Sequence, residues 1–194
     1  MAKLRSGDTT LEIRYNNSIY GYVIYEINFL WQEESILNER IMKKSKLAEN
    51  LPAGALVASE HEYCSLLPVL KKILESNKPQ YWEPLEPDVT LAVYPEMYFP
   101  FLESKWTLVW QSDEIRKESE EKARLKAEKG ALPDDPVTII MFVDAYAFKR
   151  CNAYCGNGIS LQLLVTRQDF ERFYEDLQGE YSEFKKQFKI DLYD

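Results

Sequence analysis

The chain has 194 residues, of which 45% are hydrophobic and 13% aromatic, a size and composition that fit one folded domain and exclude a disordered chain. Its net charge of -8 argues against nucleic acid as a direct ligand, because phosphate binding depends on Lys and Arg side chains. An acidic surface keeps a protein in solution, and it also attracts basic protein partners. We therefore expect a single domain over residues 1–194 that binds no nucleic acid.

The sequence carries no recognisable signal for a membrane or for secretion. The opening residues, MAKLRSGD, lack the apolar run of a signal peptide. The longest apolar run, residues 137–143, is much shorter than the roughly 20 residues that span a bilayer. Three cysteines, an odd number, fit a reducing compartment better than a disulfide framework. The expected location is the cytoplasm, without membrane contact.

Alternating apolar residues near the start of the chain predict an antiparallel hairpin. Odd positions are apolar from Leu11 to Tyr15, and apolar residues and Gly keep the same parity from Ile19 to Trp31. Residues 16–18 between them, Asn-Asn-Ser, have the chemistry of a turn. A period of two on both sides of a turn indicates two strands with one buried face.

The next part of the chain predicts two helices and a short strand. Residues 35–47 have modest helical spacing, and residues 55–58 are apolar enough for a short strand. Leucines and an isoleucine at helical spacing predict a second helix over 66–74, capped by Ser65 and ended by Pro79.

The second half predicts four strands and two further helices. Strands are expected over 89–94, 106–111, 137–143 and 159–165, and the third of these is apolar on both faces, as in a central strand. A highly charged segment from Ser112 to Gly130 predicts a solvated helix, with a protruding partner-binding arm as the alternative.

Thr166, with Asp169 three residues later, marks the start of the last helix. Its apolar stripe is predicted to cover a sheet, with a partner helix as the alternative; the stripe comprises Phe170, Phe173, Leu177, Tyr181, Phe184 and Phe188. Strands and about four helices without regular alternation predict an α+β domain with a mostly antiparallel sheet.

The most distinctive stretch is residues 81–102, which contains four of the nine prolines and many aromatic and acidic residues. Aromatic anchors surrounded by charge are typical of protein interfaces. The predicted interface residues are Trp82, Glu83, Glu86, Asp88, Tyr94, Glu96, Tyr98 and Phe99. The bland alternative is that these acids only keep a sheet edge in solution.

The sequence contains few residues that could form a known catalytic arrangement. A glycine-rich phosphate loop is missing, and any Ser-His or Cys-His arrangement would have to use His61, the single histidine. The enzyme alternative is a small hydrolase that uses Glu83, Glu86 and Asp88, with Asp144 as a guessed partner acid. In that hydrolase, tyrosines and Trp82 would form a sugar-stacking floor. No cofactor is expected.

One set of residues has the composition of a structural zinc site. His61 and Cys64 have usable ligand spacing, as do Cys151 and Cys155, and three Cys with one His fill a tetrahedral site. A chain with a core of this size does not need a metal, however, and cysteines are often buried for packing alone. Zinc therefore remains the alternative to a metal-free domain.

In size, charge, expected compartment and lack of a catalytic set, the chain resembles the small acidic immunity proteins that bacteria keep against secreted toxins. The resemblance concerns general character, and no motif is matched residue by residue. It implies a non-enzymatic protein that docks its acidic aromatic stretch on a basic protein partner.

Overall fold

The structure is a computed structural model that describes residues 1–19, 22–38, 40–43, 56–61, 66–84, 86–87, 89–96, 117, 121, 124–126, 128–149 and 158–188. Two antiparallel sheets and the helices packed on them make up this part of the chain. The α+β class is therefore confirmed. The sheet is divided in two, which the sequence did not predict.

The first sheet is built around the predicted hairpin. Its strands, in spatial order, are β1 (Ala2–Ser6), β2 (Thr9–Ile19), β3 (Tyr22–Trp31), β5 (Leu56–His61) and β7 (Glu86–Pro87), and β4 (Glu34–Ser35) also pairs with β3. The second sheet has four strands, in the order β10 (Ser160–Thr166), β9 (Pro136–Val143), β8 (Val89–Tyr94) and β6 (Gln80–Trp82).

Three helical elements have defined bounds in the described residues, fewer than the four helices predicted. They are α1 (Leu66–Ser76), α2 (Arg167–Phe188) and a 3-10 turn (Ala145–Ala147). Residues 117, 121, 124–126 and 128–129 are also helical, in agreement with the predicted charged helix, and residue 130 follows them as a glycine with φ +79°. None of the described helices is long and apolar enough to cross a membrane.

One hydrophobic core joins both sheets to α1 and α2. The apolar stripe of α2 contributes Phe170, Phe173, Leu177 and Phe184, all buried, so its predicted role in core packing is confirmed. Aromatic rings connect the layers. Tyr15 on β2 lies 5.2 Å from Tyr25 on β3 and 5.5 Å from Phe184 on α2, measured between ring centroids.

The chain also links the two sheets directly. Strands β6, β7 and β8 follow one another within residues 80–94, yet β7 belongs to the first sheet and its two neighbours belong to the second. On the opposite side, the Ser6 hydroxyl on β1 donates a hydrogen bond to the Leu164 carbonyl on β10. The two sheets are thus joined at both of their sides.

The predicted hairpin is confirmed, but its predicted turn at residues 16–18 is wrong. Strand β2 continues to Ile19, and the pairing register with β3 shifts between Tyr15 and Asn17. The extra residue forms a β-bulge, in which turn-forming residues are tolerated. The Asn16 amide donates a hydrogen bond to Glu26, which explains a polar residue at this position.

The helix predicted over 35–47 is wrong in its described part. Ser35 lies in β4, residues 40–41 form a turn, and Met42 makes a bridge with Phe148. Leu37 and Met42 are buried, so tertiary packing overrides the weak helical spacing. Residues 44–47, the strand predicted over 106–111 and the caps at Ser65 and Ser112 lie outside the described residues.

Several other predictions are confirmed. Strands over 55–58, 89–94, 137–143 and 159–165 correspond to β5, β8, β9 and β10, and the helix over 66–74 corresponds to α1. The Thr166 hydroxyl accepts the Asp169 backbone N–H at 3.1 Å and donates to the Asp169 carboxylate at 2.7 Å. This reciprocal contact starts α2 as the capping motif predicts.

Arg167 connects the beginning of α2 to the end of α1. Its guanidinium donates to the Leu74 carbonyl and, at 3.3 Å, to the Asn77 side chain, and its Nε donates to Glu171 at 3.2 Å. Asn77 has the left-handed φ of +50° that ends many helices. A cation at a helix C-terminus is favourable because the last carbonyls carry partial negative charge.

We expect Arg167→Met to lower the free energy of unfolding by about 2–3 kcal/mol, because the Leu74 carbonyl loses a charged donor in a buried place. The matched control is Arg172→Met on the same helix, whose guanidinium is exposed beside Asp169 and whose loss should change stability by less than about 0.5 kcal/mol. Urea denaturation of both variants measures the difference, and equal effects would contradict this role of Arg167.

Gly158 is required by close packing where β10 begins. A Cβ on this residue would overlap the Val143 carbonyl group, and the Val143 N–H donates to the Ile159 carbonyl at 2.9 Å. A larger residue would therefore push apart the pairing of β9 with the start of β10. By contrast, a Cβ on Gly179 in α2 would meet nothing within 4 Å.

The two glycines should respond to alanine with opposite sign. Gly158→Ala should lower the free energy of unfolding by about 1–3 kcal/mol through overpacking. Gly179→Ala should raise it by about 0.5–1 kcal/mol, since alanine loses less backbone entropy in a helix. Thermal and urea unfolding measure both values. If Gly158→Ala left the free energy of unfolding unchanged, the Val143 backbone would have to move aside to accommodate the methyl group.

Candidate interaction surface

Strand β6 forms one edge of the second sheet and presents one aromatic side chain on each face. Tyr81 is 64% exposed, Trp82 is 1% exposed, and Glu83 is again exposed. This alternation follows from the period of two along a strand. Trp82 faces the core, where its ring meets the Tyr25 ring edge-on with centroids 5.3 Å apart. The strand therefore holds Tyr81 outward by burying its neighbour.

Tyr81 is paired with a second tyrosine from the adjacent strand. It lies opposite Ala92 on β8, and Tyr94 follows two residues later on the same face. The two rings are perpendicular, with centroids 6.2 Å apart and hydroxyl oxygens 3.4 Å apart. Such an edge-to-face pair is a favourable arrangement of two aromatic rings.

Two exposed glutamates follow these tyrosines in the sequence, each two residues later. Glu83 follows Trp82, and Glu96 follows the buried Pro95. The Glu96 backbone carbonyl accepts a hydrogen bond from the Thr138 hydroxyl at 2.7 Å, which fixes the chain beyond β8. We call the surface formed by Tyr81, Glu83, Tyr94 and Glu96 the tyrosine edge.

The tyrosine edge contains some of the residues predicted for the interface and lacks others. Glu83, Tyr94 and Glu96 belong to it. Trp82 was predicted as an anchor, but it is buried in the core and presents no surface to a partner. Glu86 lies in β7 opposite Ser59, in the other sheet. Asp88, Tyr98 and Phe99 lie outside the described residues.

The zinc and hydrolase alternatives stay predictions, because several of their residues lie outside the described part of the chain. His61 is the last residue of β5 and pairs with Tyr22, while Cys64, Cys151 and Cys155 lie outside the described residues. In the ranges that are described, no three His, Cys, Asp or Glu side chains gather so that they could hold a metal ion. The Asp144 carboxylate accepts the Tyr146 N–H at 2.6 Å and so caps the 3-10 turn.

A second group of charged residues, on the face of the first sheet that lies opposite the hydrophobic core cluster, was not predicted. Glu26 is 2% exposed, and the Arg14 guanidinium, on the directly opposite residue of β2, contacts its Oε2. The Asn16 and Asn28 amides donate to the same carboxylate at 3.2 Å each. The carboxylate is thus surrounded by donors and serves to pair two strands. The sequence signal was polar residues at even positions of the hairpin.

Removing the arginine of the buried Arg14–Glu26 pair should lower the free energy of unfolding more than removing the arginine of an exposed pair. Arg14→Met leaves the Glu26 carboxylate buried without its cation, and we expect a loss of about 2–3 kcal/mol because two amide donors remain. The control is Arg5→Met, whose partner Glu33 is 76% exposed, so the change should stay within about 0.5 kcal/mol. Similar values for the two variants in urea denaturation would refute the distinction.

Comparisons with protein-family models, with curated proteins and with solved structures found no match for this chain.

Proposed function

We propose that this protein is a non-enzymatic binding domain that docks a basic protein partner through the tyrosine edge, as an immunity protein docks on a toxin. The observation that carries the proposal is Tyr81, which is 64% exposed while its ring is held against Tyr94. A rigid aromatic ring loses little conformational freedom on binding and offers a large contact area. Tyrosine is also among the residues that most often dominate interface energies.

The charge around Tyr81 supports a basic partner. Glu83 and Glu96 are exposed, each two residues after one of the paired tyrosines, and the whole chain carries a net charge of -8. Carboxylates at the rim of an interface contribute little to affinity, but they accelerate the approach of a positively charged protein. The aromatic pair would supply contact energy, and the acids would supply steering and partner choice.

The strands that carry the tyrosine edge are packed on the core, which favours binding without a change of conformation. Trp82 is anchored against Tyr25, and β8 lies between β6 and β9 within the sheet. A surface supported in this way is expected to bind without rearranging, because its strands are packed on the core.

The proposal is tested by identifying what contacts residue 81 in cells. A photo-crosslinking amino acid replaces Tyr81, and in a matched control it replaces Tyr146, an exposed tyrosine outside the tyrosine edge that is 48% exposed. We expect a basic protein to be crosslinked from position 81 and not from position 146. An acidic crosslinked protein, or equal crosslinking from both positions, would contradict the proposal.

Binding kinetics with that purified partner then separate the two roles. Tyr81→Ala should speed dissociation about 30-fold, which corresponds to losing about 2 kcal/mol of aromatic contact, whereas Tyr81→Phe should stay close to wild type. Glu83→Lys with Glu96→Lys should slow association about tenfold and weaken its salt dependence. Melting temperatures should not change. Unaltered kinetics in Tyr81→Ala would exclude the tyrosine edge as the interface.

A further inference from the structure

A second aromatic side chain, Trp31, is exposed at the far end of the hairpin. Its exposed fraction is 52%, although the odd positions before it on β3, from Val23 to Phe29, are buried. Its backbone is paired on both sides, with Thr9 on β2 and with Glu34 on β4. The indole therefore extends beyond the core from a fixed strand.

The turn that follows Trp31 has an uncommon backbone conformation. Gln32 and Glu33 both have positive φ, +49° and +69°, and they connect β3 to β4 as a two-residue turn. Such turns usually contain Asn or Gly, because other residues are strained with left-handed φ. Contacts with the neighbouring turn hold the strained one in place. The Gln32 backbone N–H donates to the Asp8 carbonyl at 2.8 Å, and its side chain donates to the Asp8 carboxylate at 3.2 Å.

Acidic residues surround this turn. Asp8, Glu33 and Glu34 are all exposed, and the one nearby cation in the described residues that pairs with any of them is Arg5, 3.4 Å from Glu33. That pair is open to water on both sides, with exposed fractions of 60% and 76%, so it is weak and exchangeable. Three carboxylates against one guanidinium leave the surface negative.

We infer that Trp31, Asp8 and residues 32–34, which we call the tryptophan corner, form a preformed recognition site for an arginine side chain on a segment of another protein. A guanidinium stacks favourably on an indole face, and its planar donors match carboxylates better than the ammonium of lysine does. The fixed backbone around Trp31 means that little freedom is lost on binding.

The tryptophan corner is a different surface from the tyrosine edge. Trp31 lies in the first sheet, whereas Tyr81 lies in the second. The inference does not require the proposed function to be correct, since each surface has its own exposed aromatic residue and its own carboxylates. Because it needs no natural partner, it is tested with a short synthetic peptide.

The probe is the peptide Ac-Gly-Arg-Gly-Arg-Gly-NH2, titrated into the full chain labelled with 15N. The sequence contains four Trp, so four indole N–H signals are expected, and Trp31→Phe assigns one of them. We expect the Trp31 signal to shift in a saturable way, with a dissociation constant on the order of millimolar for so small a ligand. The same peptide with citrulline in place of arginine, which keeps the shape without the charge, should cause no saturable shift.

A variant without the Glu34 carboxylate tests whether that charge and the Trp31 indole both contribute to peptide binding. Glu34→Gln should weaken peptide binding about threefold, the value expected for one exposed charge pair. Glu175→Gln, on the exposed face of α2, is the control and should leave binding unchanged. No saturable shift, an equal response to the citrulline peptide, or equal binding by Glu34→Gln would overturn the inference. A shift that follows arginine and weakens in Glu34→Gln alone would support it.

Discussion

The packing of Trp82 against Tyr25 is the contact on which the arrangement of the molecule depends. Tyr25 lies in the first sheet and Trp82 in the second, and both side chains are essentially excluded from water. Buried aromatic residues of this size contribute more apolar area than any other side chains, so their contact holds the two sheets on a common core. Through Tyr15 the same set of rings reaches Phe184 on α2. The position of the surface residue Tyr81 follows from this contact, because adjacent residues of a strand face opposite ways.

Charge is used in two distinct ways in this structure. Where ionic side chains are buried, as with Glu26 and Arg167, they meet several hydrogen-bonding partners and hold backbone elements together. Two exposed carboxylates are near exposed aromatic residues in the strands: Glu34 pairs with Trp31, and Glu83 follows Tyr81 by two residues. Buried ion pairs add geometric definition more than net stability, whereas exposed ones act mainly on the approach of other molecules. This division is the physical basis for our proposal that the protein is a binding domain.

The sequence predicted the elements in which hydrophobic periodicity is long and regular. The hairpin and the stripe of α2 are examples, since each repeats its pattern over many residues. The turn at Asn16 could not be predicted correctly, because asparagine side chains serve a bulge as well as they serve a turn. Residues 35–47 were assigned to a helix for their modest helical spacing, but burial of Leu37 and Met42 determines the local path.

The candidate surface was also predicted only in part from the sequence. Period two implies that Tyr81 and Trp82 face opposite ways, but three residues of strand do not reveal which of them faces the core. The predicted interface included Trp82 and not Tyr81, and the structure places the Trp82 side chain in the core. The second exposed aromatic residue, Trp31, was assigned to the buried face of the hairpin because its parity matches that face. The alternation of residues along β3 does not show after which residue the strand leaves the core.

The passage of the chain from β6 to β7 and back to β8 has a consequence for how the molecule comes apart. The chain crosses between the two sheets twice within residues 80–94. We therefore expect the loss of one sheet to destabilise the other. The Ser6 contact with Leu164 fastens the opposite side. We therefore expect the two sheets to exchange their amide hydrogens as one cooperative unit, and local openings among the described residues to occur mainly at strand ends and helix termini.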